Sequence, residues 1–418
     1  MSAAEHVAPD EGSAKAQLRR SLSLPLITFY GLGTILGAGI YVLVGKVAGA
    51  AGMYAPLAFV LAAIAAGLSA FTYMELCSRY PLAGGAAIYT QQGFGRRWLS
   101  MLVGWLIVLS GLVSAATITR GFAGYFRVFV DVPDAWIISG AVLALCLLAA
   151  WGIAQSVAVA AVATLVEVGG LLLILVVTAS SFEGLPQRLP SLMPTLDTSA
   201  WQGILLGSFL AFYAFIGFED MVNVAEEVRH PERNLPRAIL ASITISTLLY
   251  LAVSAAAVLA LPLDELAATG APLALLFERA TGASPKVMAL ISLFAVINGA
   301  LIQIIMAARM LYAMSREGWL PKAVGKVHPR TRTPLRATVI VSAAVLVLAL
   351  ALPLVTLAKL TSSAVLAVFA IVALALIRMK RAAAPATGIF TVPYWVPVGS
   401  MATATLLLSV QAGELLRR

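Results

Sequence analysis

Long apolar runs recur along the whole chain, and they constrain its fold more than any other feature. Eleven such runs are present, at 24–49, 55–78, 98–126, 135–152, 156–180, 201–225, 236–261, 285–312, 335–353, 357–378 and 392–411. A helix of about 20 residues crosses the roughly 30 Å hydrocarbon layer of a bilayer. Since 61% of the 418 residues are hydrophobic and only 11% are charged, the pattern predicts an all-α integral membrane protein with about 11–12 transmembrane helices.

Two of these runs contain interruptions that a membrane-spanning helix normally avoids. They are Gly31–Gly39 in the first run and Tyr213–Asp220 in the sixth. Because lipid offers no hydrogen-bond partner, unwound backbone at membrane depth is stable only where it lines a protected polar cavity. Broken helices 1 and 6 therefore indicate a transporter whose substrate site lies at the two breaks.

The breaks lie one five-helix unit apart, so the second unit enters the membrane from the opposite side. This arrangement predicts 5+5 inverted repeats. The predicted segments are a polar cytoplasmic tail at 1–20, a first repeat at 21–180, a second repeat at 201–380 and an additional C-terminal helix at 390–418.

The formal charge of +9 comes largely from basic residues in short loops between the apolar runs. With a cytoplasmic N-terminus these loops share the cytoplasmic side, as the positive-inside rule requires. The basic residues then anchor the topology, so membrane lipid is an expected partner and nucleic acid is not. The sequence predicts a multi-pass protein of the cell membrane, although eleven spans would leave Arg417 and Arg418 outside, against the rule.

Histidine and cysteine are scarce and scattered. His6, His230 and His328 lie in polar or charged segments, whereas Cys77 and Cys146 lie in apolar runs. Their spacing matches no metal-ligand motif, so neither a metal nor another cofactor is expected. An intramembrane enzyme would need clustered ligands or a nucleophile with its base, and neither pattern occurs.

Four motifs follow one another along most of the chain. They are LGAGIY at 36–41, YMELCSRYPLAGG at 73–85, FIGFE at 215–219 with AEEVRHPERNLP at 225–236, and RMLYAMSREGWLP at 309–321 with VHPRTRTP at 327–334. In this order they resemble the motifs of the amino acid/polyamine/organocation (APC) permeases, with most similarity to the cationic amino acid transporter-like branch. The resemblance implies the LeuT-like fold and the transport of amino acids.

The first break offers backbone N–H groups at the start of a half-helix. These groups carry partial positive charge, so Gly37, Ala38 and Gly39 are candidates to bind a substrate carboxylate. Glycine lets a ligand approach the backbone closely. Gly31 and Gly33, earlier in the same run, are better explained by close helix packing.

The half-helices also end in backbone carbonyl groups that can accept hydrogen bonds from an ammonium group. The candidates are Thr34 and Ile35 in the first run and Ala214 and Ile216 in the sixth. Together with the N–H groups, they would recognise a zwitterion. The resemblance adds Tyr213 as an aromatic gate over the substrate; an interfacial or packed tyrosine is the alternative.

Placing a charged carboxylate at membrane depth costs free energy, so such groups usually face a cavity or a partner. Glu219 and Asp220 lie at the second break. In similar permeases the acid that matches Glu219 is associated with proton-dependent gating. Glu219 is therefore a candidate for proton coupling, with structural hydrogen bonding as the alternative.

Glu167, in the middle of the fifth run, departs from one pattern of the family. Some proton-coupled relatives carry a lysine there, which is thought to stand in for a sodium ion, and a glutamate cannot supply that fixed positive charge. Glu167 can instead bind a proton, a cation or a cationic substrate, or pair with a helix neighbour. Similarly, Ser114 and Gln303 either face the core or make polar contacts within the helix bundle.

These features together predict secondary active transport of amino acids by alternating access, either coupled to protons or by exchange. The alternatives are a non-transporting amino acid sensor on the same fold and a transporter of polyamines or other organic cations. The sequence leaves the particular amino acid and the oligomeric state open.

Overall fold

The computed structural model describes residues 20, 22–82, 84–151, 157–183, 185–331, 333–382 and 388–416. Residues 1–19 of the predicted tail and the terminal Arg417 and Arg418 lie outside the described residues. In the described part the α-helices are α1 (Leu24–Leu36), α2 (Ala38–Ala51), α3 (Ala55–Arg79), α4 (Gly85–Phe94), α5 (Arg97–Phe126), α6 (Asp134–Trp151), α7 (Val157–Val177), α8 (Leu185–Arg188), α9 (Thr198–Phe212), α10 (Pro231–Ala260), α11 (Leu263–Ala268), α12 (Pro272–Thr281), α13 (Lys286–Arg316), α14 (Leu335–Ala351), α15 (Leu354–Ala382) and α16 (Trp395–Leu416).

The predicted apolar runs coincide with helices, so the predicted all-helical membrane fold is confirmed. The first run forms α1 and α2 in succession, and the sixth forms α9 followed by short 3-10 turns. Among the described residues, eight helical stretches are long and apolar enough to cross a membrane, one of which, Leu24–Arg79, joins the first two runs. The fifth and ninth runs contribute shorter apolar helices, Ala161–Val177 and Leu335–Ala351.

The helices pack around an aromatic centre. Helix α5 packs against α13 and α15, α3 packs against α9 and α10, and α1 packs against α7 and α10. Phe59, Phe212 and Phe215 are fully buried between them. Large apolar side chains also cover the outside of the bundle, where Leu147 is 62% exposed and Val176 is 73% exposed. An exterior as apolar as this suits contact with lipid chains.

The alternating direction of the spans gives the bundle two faces with different charge. Helix ends at Arg79, Arg97, Arg316 and Arg381 lie together on one face, here called the basic face. The opposite face carries the α5–α6 turn, the α7–α9 connection and the short helices α11 and α12.

A buried carboxylate joins three segments at the basic face. Glu75 is completely buried at the end of α3 and accepts hydrogen bonds from Arg79 Nη2 at 2.5 Å and from the Val392 backbone N–H at 2.8 Å. Lys380 of α15 lies 2.8 Å from Oε2, the oxygen that also accepts the Val392 N–H, whereas Arg79 contacts Oε1. Because a buried charge is stable only when it is paired, this cluster fixes α3, α15 and the segment before α16 to one another.

Candidate functional site

Both predicted interruptions of the chain are present. Helix α1 ends at Leu36, Gly37 has φ −45° and ψ −114°, and α2 begins at Ala38. In the sixth span, a 3-10 turn at Tyr213–Phe215 is followed by extended Ile216 and by Gly217 with φ +132°. Residues that carry a side chain rarely adopt that backbone angle, so the second break depends on glycine at this position.

The two breaks lie directly against each other. The Thr34 hydroxyl lies 2.9 Å from the Gly31 carbonyl oxygen and 3.0 Å from that of Gly217, so it can donate its one hydrogen to either segment. A Cβ atom at Gly39 would overlap the backbone of Ala214, and one at Gly217 would overlap the Thr34 carbonyl group. The glycines therefore allow two backbones to touch. Substitution of Gly39 would therefore disturb the contact with Ala214 as well as the binding of a ligand at the break.

A tyrosine of α10, which the sequence analysis did not single out, joins the ends of both half-helices. The Tyr250 hydroxyl lies 2.7 Å from the Ile35 carbonyl oxygen and 2.8 Å from that of Ala214. These are two of the carbonyl groups predicted to face a substrate ammonium group. The one hydroxyl hydrogen satisfies only one of them at a time, and each carbonyl oxygen has a second lone pair.

A cavity, here called the break cavity, opens between the two interruptions. Six of the eight predicted substrate-binding residues line it: Thr34, Ile35, Gly37, Gly39, Tyr213 and Ile216. Ala38 begins the half-helix beside it, and Ala214 is buried against Gly39. The other walls are Ser114, Ile118, Gly299, Ile302 and Gln303, from α5 and α13. The binding roles of these residues stay predictions.

Tyr213 is held in place by α5. Its hydroxyl lies 3.0 Å from the Ser114 hydroxyl, and its side chain is almost fully buried beside the break cavity. The ring therefore closes one wall of the cavity, an arrangement compatible with both the gate and the packing interpretation.

A second cavity adjoins the first on the side of the basic face. Both are lined by Ser114, Ile216 and Gln303. Because Glu219 and Asp220 also line this second space, it is here called the acid cavity. Apart from these three shared residues, its residues on α5, α13 and the sixth span lie nearer the basic-face ends of those elements, so the acid cavity lies between the break cavity and that face.

The two acids of this cavity have different surroundings. Glu219 is half-buried, and its Oε2 atom accepts a hydrogen bond of 2.9 Å from the Gly217 backbone N–H at the break. Asp220 is only 6% exposed, and its Oδ2 atom accepts no hydrogen bond from the residues that the structure describes. The Tyr73 side chain lines the same cavity.

Glu167 of α7 lies behind the first break and is not among the lining residues of either cavity. It is 1% exposed, and its Oε1 atom lies 3.4 Å from the Asn298 amide of α13. Its Oε2 atom, on the side of Gly33, has no hydrogen-bond partner within the described ranges. Its backbone carbonyl accepts a hydrogen bond of 2.5 Å from the Tyr41 hydroxyl of α2. Glu167 thus joins α7 to α2 and α13.

Comparison with known proteins decides the family. The sequence profile described as "Amino acid permease" matches residues 22–412, nearly the whole chain. The chain belongs to the amino acid permease family. The resemblance of its four motifs is thereby confirmed. This permease is a multi-pass membrane protein that transports amino acids, and it is not an enzyme.

Its relatives carry different substrate names. A branched-chain amino acid permease of Bacillus subtilis is 29% identical over 393 residues, which are 88% of this chain and 83% of the relative. A methylthioribose transporter of the same organism is also 29% identical, over 95% of this chain and 88% of the relative. Cationic amino acid transporter 2 of Arabidopsis thaliana is 32% identical over 87% of this chain but only 60% of its own length.

Proposed function

We propose that this permease binds its amino acid in the break cavity, with the carboxylate on the backbone N–H groups at the start of α2. The observation that carries the proposal is the opening of the α2 N-terminus, at Gly37–Gly39, into this cavity. No lysine or arginine is among the described residues that line it. The anion-binding groups at hand are therefore backbone N–H groups and the positive end of the helix dipole.

The walls of the break cavity favour an uncharged aliphatic side chain. Ile118, Ile216 and Ile302 supply apolar surface, and Gly299 leaves space beside them. The acids Glu219 and Asp220 line the adjoining cavity instead. A neutral amino acid therefore fits the break cavity better than a cationic one. A cationic side chain would have to pass Gln303 to reach a carboxylate of the acid cavity.

Uptake into proteoliposomes tests this substrate class. We expect accumulation of radiolabelled alanine, valine or leucine, weak competition by arginine and none by a polyamine or methylthioribose. Binding without uptake would support the sensor alternative. Stronger competition by arginine or methylthioribose than by the neutral amino acids would overturn the assignment.

We also propose that the basic face lies in the cytoplasm. Arg79, Arg97 and Arg316 end or begin helices there, and Arg381 lies in the last turn of α15. Basic residues at such positions are retained on the cytoplasmic side of membranes. This orientation puts the N-terminus in the cytoplasm and directs the acid cavity inward. One helical bundle then rocks against another around the break cavity, which lies between the broken spans of the two repeats.

Glu219 is the group proposed to couple transport to protons. Its carboxylate accepts the Gly217 N–H bond at the break, and such a bond is stronger when the acceptor is charged. Protonation would weaken this bond and loosen the second break. Asp220 and Tyr73 are the other titratable groups that line the same cavity. Glu167 is the second candidate, because it joins three helices behind the first break.

A further inference from the structure

An apolar groove runs along the outside of the bundle between α3 and the segment that leads into α16. One wall is formed by Ile64, Gly67, Leu68 and Phe71, and the other by residues of 390–396. Ile64 is 49% exposed, and a Cβ atom at Gly67 would meet no other atom within 4 Å. The groove is therefore open toward the membrane.

A pocket rich in arginine lies beyond the end of this groove on the basic face. Its lining includes Arg79, Arg378 and Arg381. Arg79 is paired with Glu75, whereas Arg378 and Arg381 are exposed and form no ion pair with the residues described. Each exposed guanidinium group uses its Nε atom for a hydrogen bond, Arg378 to the Gly93 carbonyl at 3.2 Å and Arg381 to the Tyr394 hydroxyl at 2.8 Å. Their terminal nitrogen atoms donate no hydrogen bond to the described residues and are open to a ligand.

The groove and the arginine pocket form one fixed unit. Tyr394, which Arg381 contacts, lies between Pro393 and Trp395 of the groove wall. Val392 of the same wall is held by Glu75 through its N–H group and by Lys380 at 2.6 Å through its carbonyl oxygen. Phe71 precedes Arg79 by eight positions on α3, a rise of about 12 Å. The groove thus extends into the membrane from the arginine pocket, which lies at the membrane interface.

We propose that this unit binds one anionic phospholipid, with its phosphate on Arg378 and Arg381 and an acyl chain in the groove. Guanidinium groups match phosphate geometry, and basic pockets between membrane helices suit anionic headgroups. Trp395, which is 64% exposed, and Tyr394 supply the aromatic side chains typical of the membrane interface. A second copy of the chain is a poorer occupant, because a two-fold contact through this patch would bring like-charged arginines together.

Lipid titration of the full-length protein in detergent tests the proposal, with the thermal midpoint as the readout. Phosphatidylglycerol should stabilise the wild type at lower concentrations than phosphatidylcholine does. The double variant Arg378→Gln with Arg381→Gln should bind phosphatidylglycerol about 25-fold more weakly, about fivefold for each arginine. Gly67→Leu should also weaken binding, since it fills the groove and leaves both arginines in place.

Arg316→Gln is the matched control, because Arg316 is an exposed arginine of the same face that lies over the Tyr312 ring and outside the groove. Its phosphatidylglycerol affinity should equal that of the wild type. Equal stabilisation by phosphatidylcholine, or by inorganic phosphate alone, would overturn the proposal. Unchanged binding by Gly67→Leu would overturn it as well. A dimeric wild type together with a monomeric Gly67→Leu variant would also overturn it, because a second copy would then be the occupant. These outcomes involve no transport measurement, so they do not depend on the substrate assignment.

Discussion

At the scale of single residues, Tyr250 connects the site most directly to the surrounding bundle. Its hydroxyl group reaches the carbonyl ends of both half-helices, while its ring packs against Phe215 at 5.1 Å and Phe59 at 5.8 Å. The ring contacts fix its position and the hydroxyl group ties the two breaks together. A change to the hydroxyl group alone therefore separates the two contributions.

Tyr250→Phe should destabilise the protein by about 1 kcal/mol, because it removes a buried hydrogen bond and leaves the ring contacts intact. It should also reduce uptake, since the ends of the half-helices lose a common partner. Thermal unfolding and proteoliposome uptake are the measurements. Tyr89→Phe is the control, because the buried Tyr89 hydroxyl has no partner among the described residues; a loss of stability as large as that of Tyr250→Phe would contradict the assignment.

Glu219→Gln mimics the protonated acid and should flatten the pH dependence of uptake between about pH 5 and 8. Substrate binding should be largely retained, because Glu219 lines the acid cavity and not the break cavity. Glu167→Gln should flatten the profile only if α7 carries the proton instead. A wild-type pH profile in Glu219→Gln would leave that residue with a structural hydrogen bond alone.

At the scale of elements, the two broken spans could be predicted from sequence, whereas their connections could not. Clustered glycines and acids inside an apolar run are incompatible with a lipid-exposed helix, and this conflict revealed both breaks. Tyr250, Ile118 and Ile302 are ordinary residues of apolar helices, and no amphipathic pattern indicates which side of such a helix faces a cavity. Glu167 was recognised as unusual, but only the packing of α7 identifies Tyr41 and Asn298 as its partners.

Gly217→Ala should strongly destabilise the second break. The φ of +132° is unfavourable for alanine, at a cost of about 1–3 kcal/mol, and the added methyl group would overlap the Thr34 carbonyl group. Gly140→Ala in α6 is the control, since a Cβ atom there meets nothing within 4 Å and alanine favours a helix. The thermal midpoint should fall for Gly217→Ala and stay level or rise for Gly140→Ala; equal midpoints for both would contradict the geometry of the break.

At the scale of the whole molecule, orientation determines which way the acid cavity opens. Lys326→Cys, in the exposed α13–α14 connection, should react with a membrane-impermeant maleimide only after the cells are opened. Glu278→Cys, on the exposed surface of α12 at the opposite face, should react in intact cells. A background without Cys146 avoids labelling at that partly exposed thiol. The reverse labelling pattern would invert the topology and direct the acid cavity outward.

The central claim is that the α2 N-terminus binds the carboxylate of the substrate, and ligand-induced thermal stabilisation tests it most directly. The best-stabilising amino acid should be compared with its amide and with its decarboxylated amine at equal concentrations. The parent amino acid should raise the thermal midpoint, whereas both derivatives should have little effect because they lack the anion that the Gly37–Gly39 N–H groups bind. Stabilisation by the amide or the amine equal to that by the parent amino acid would contradict the claim.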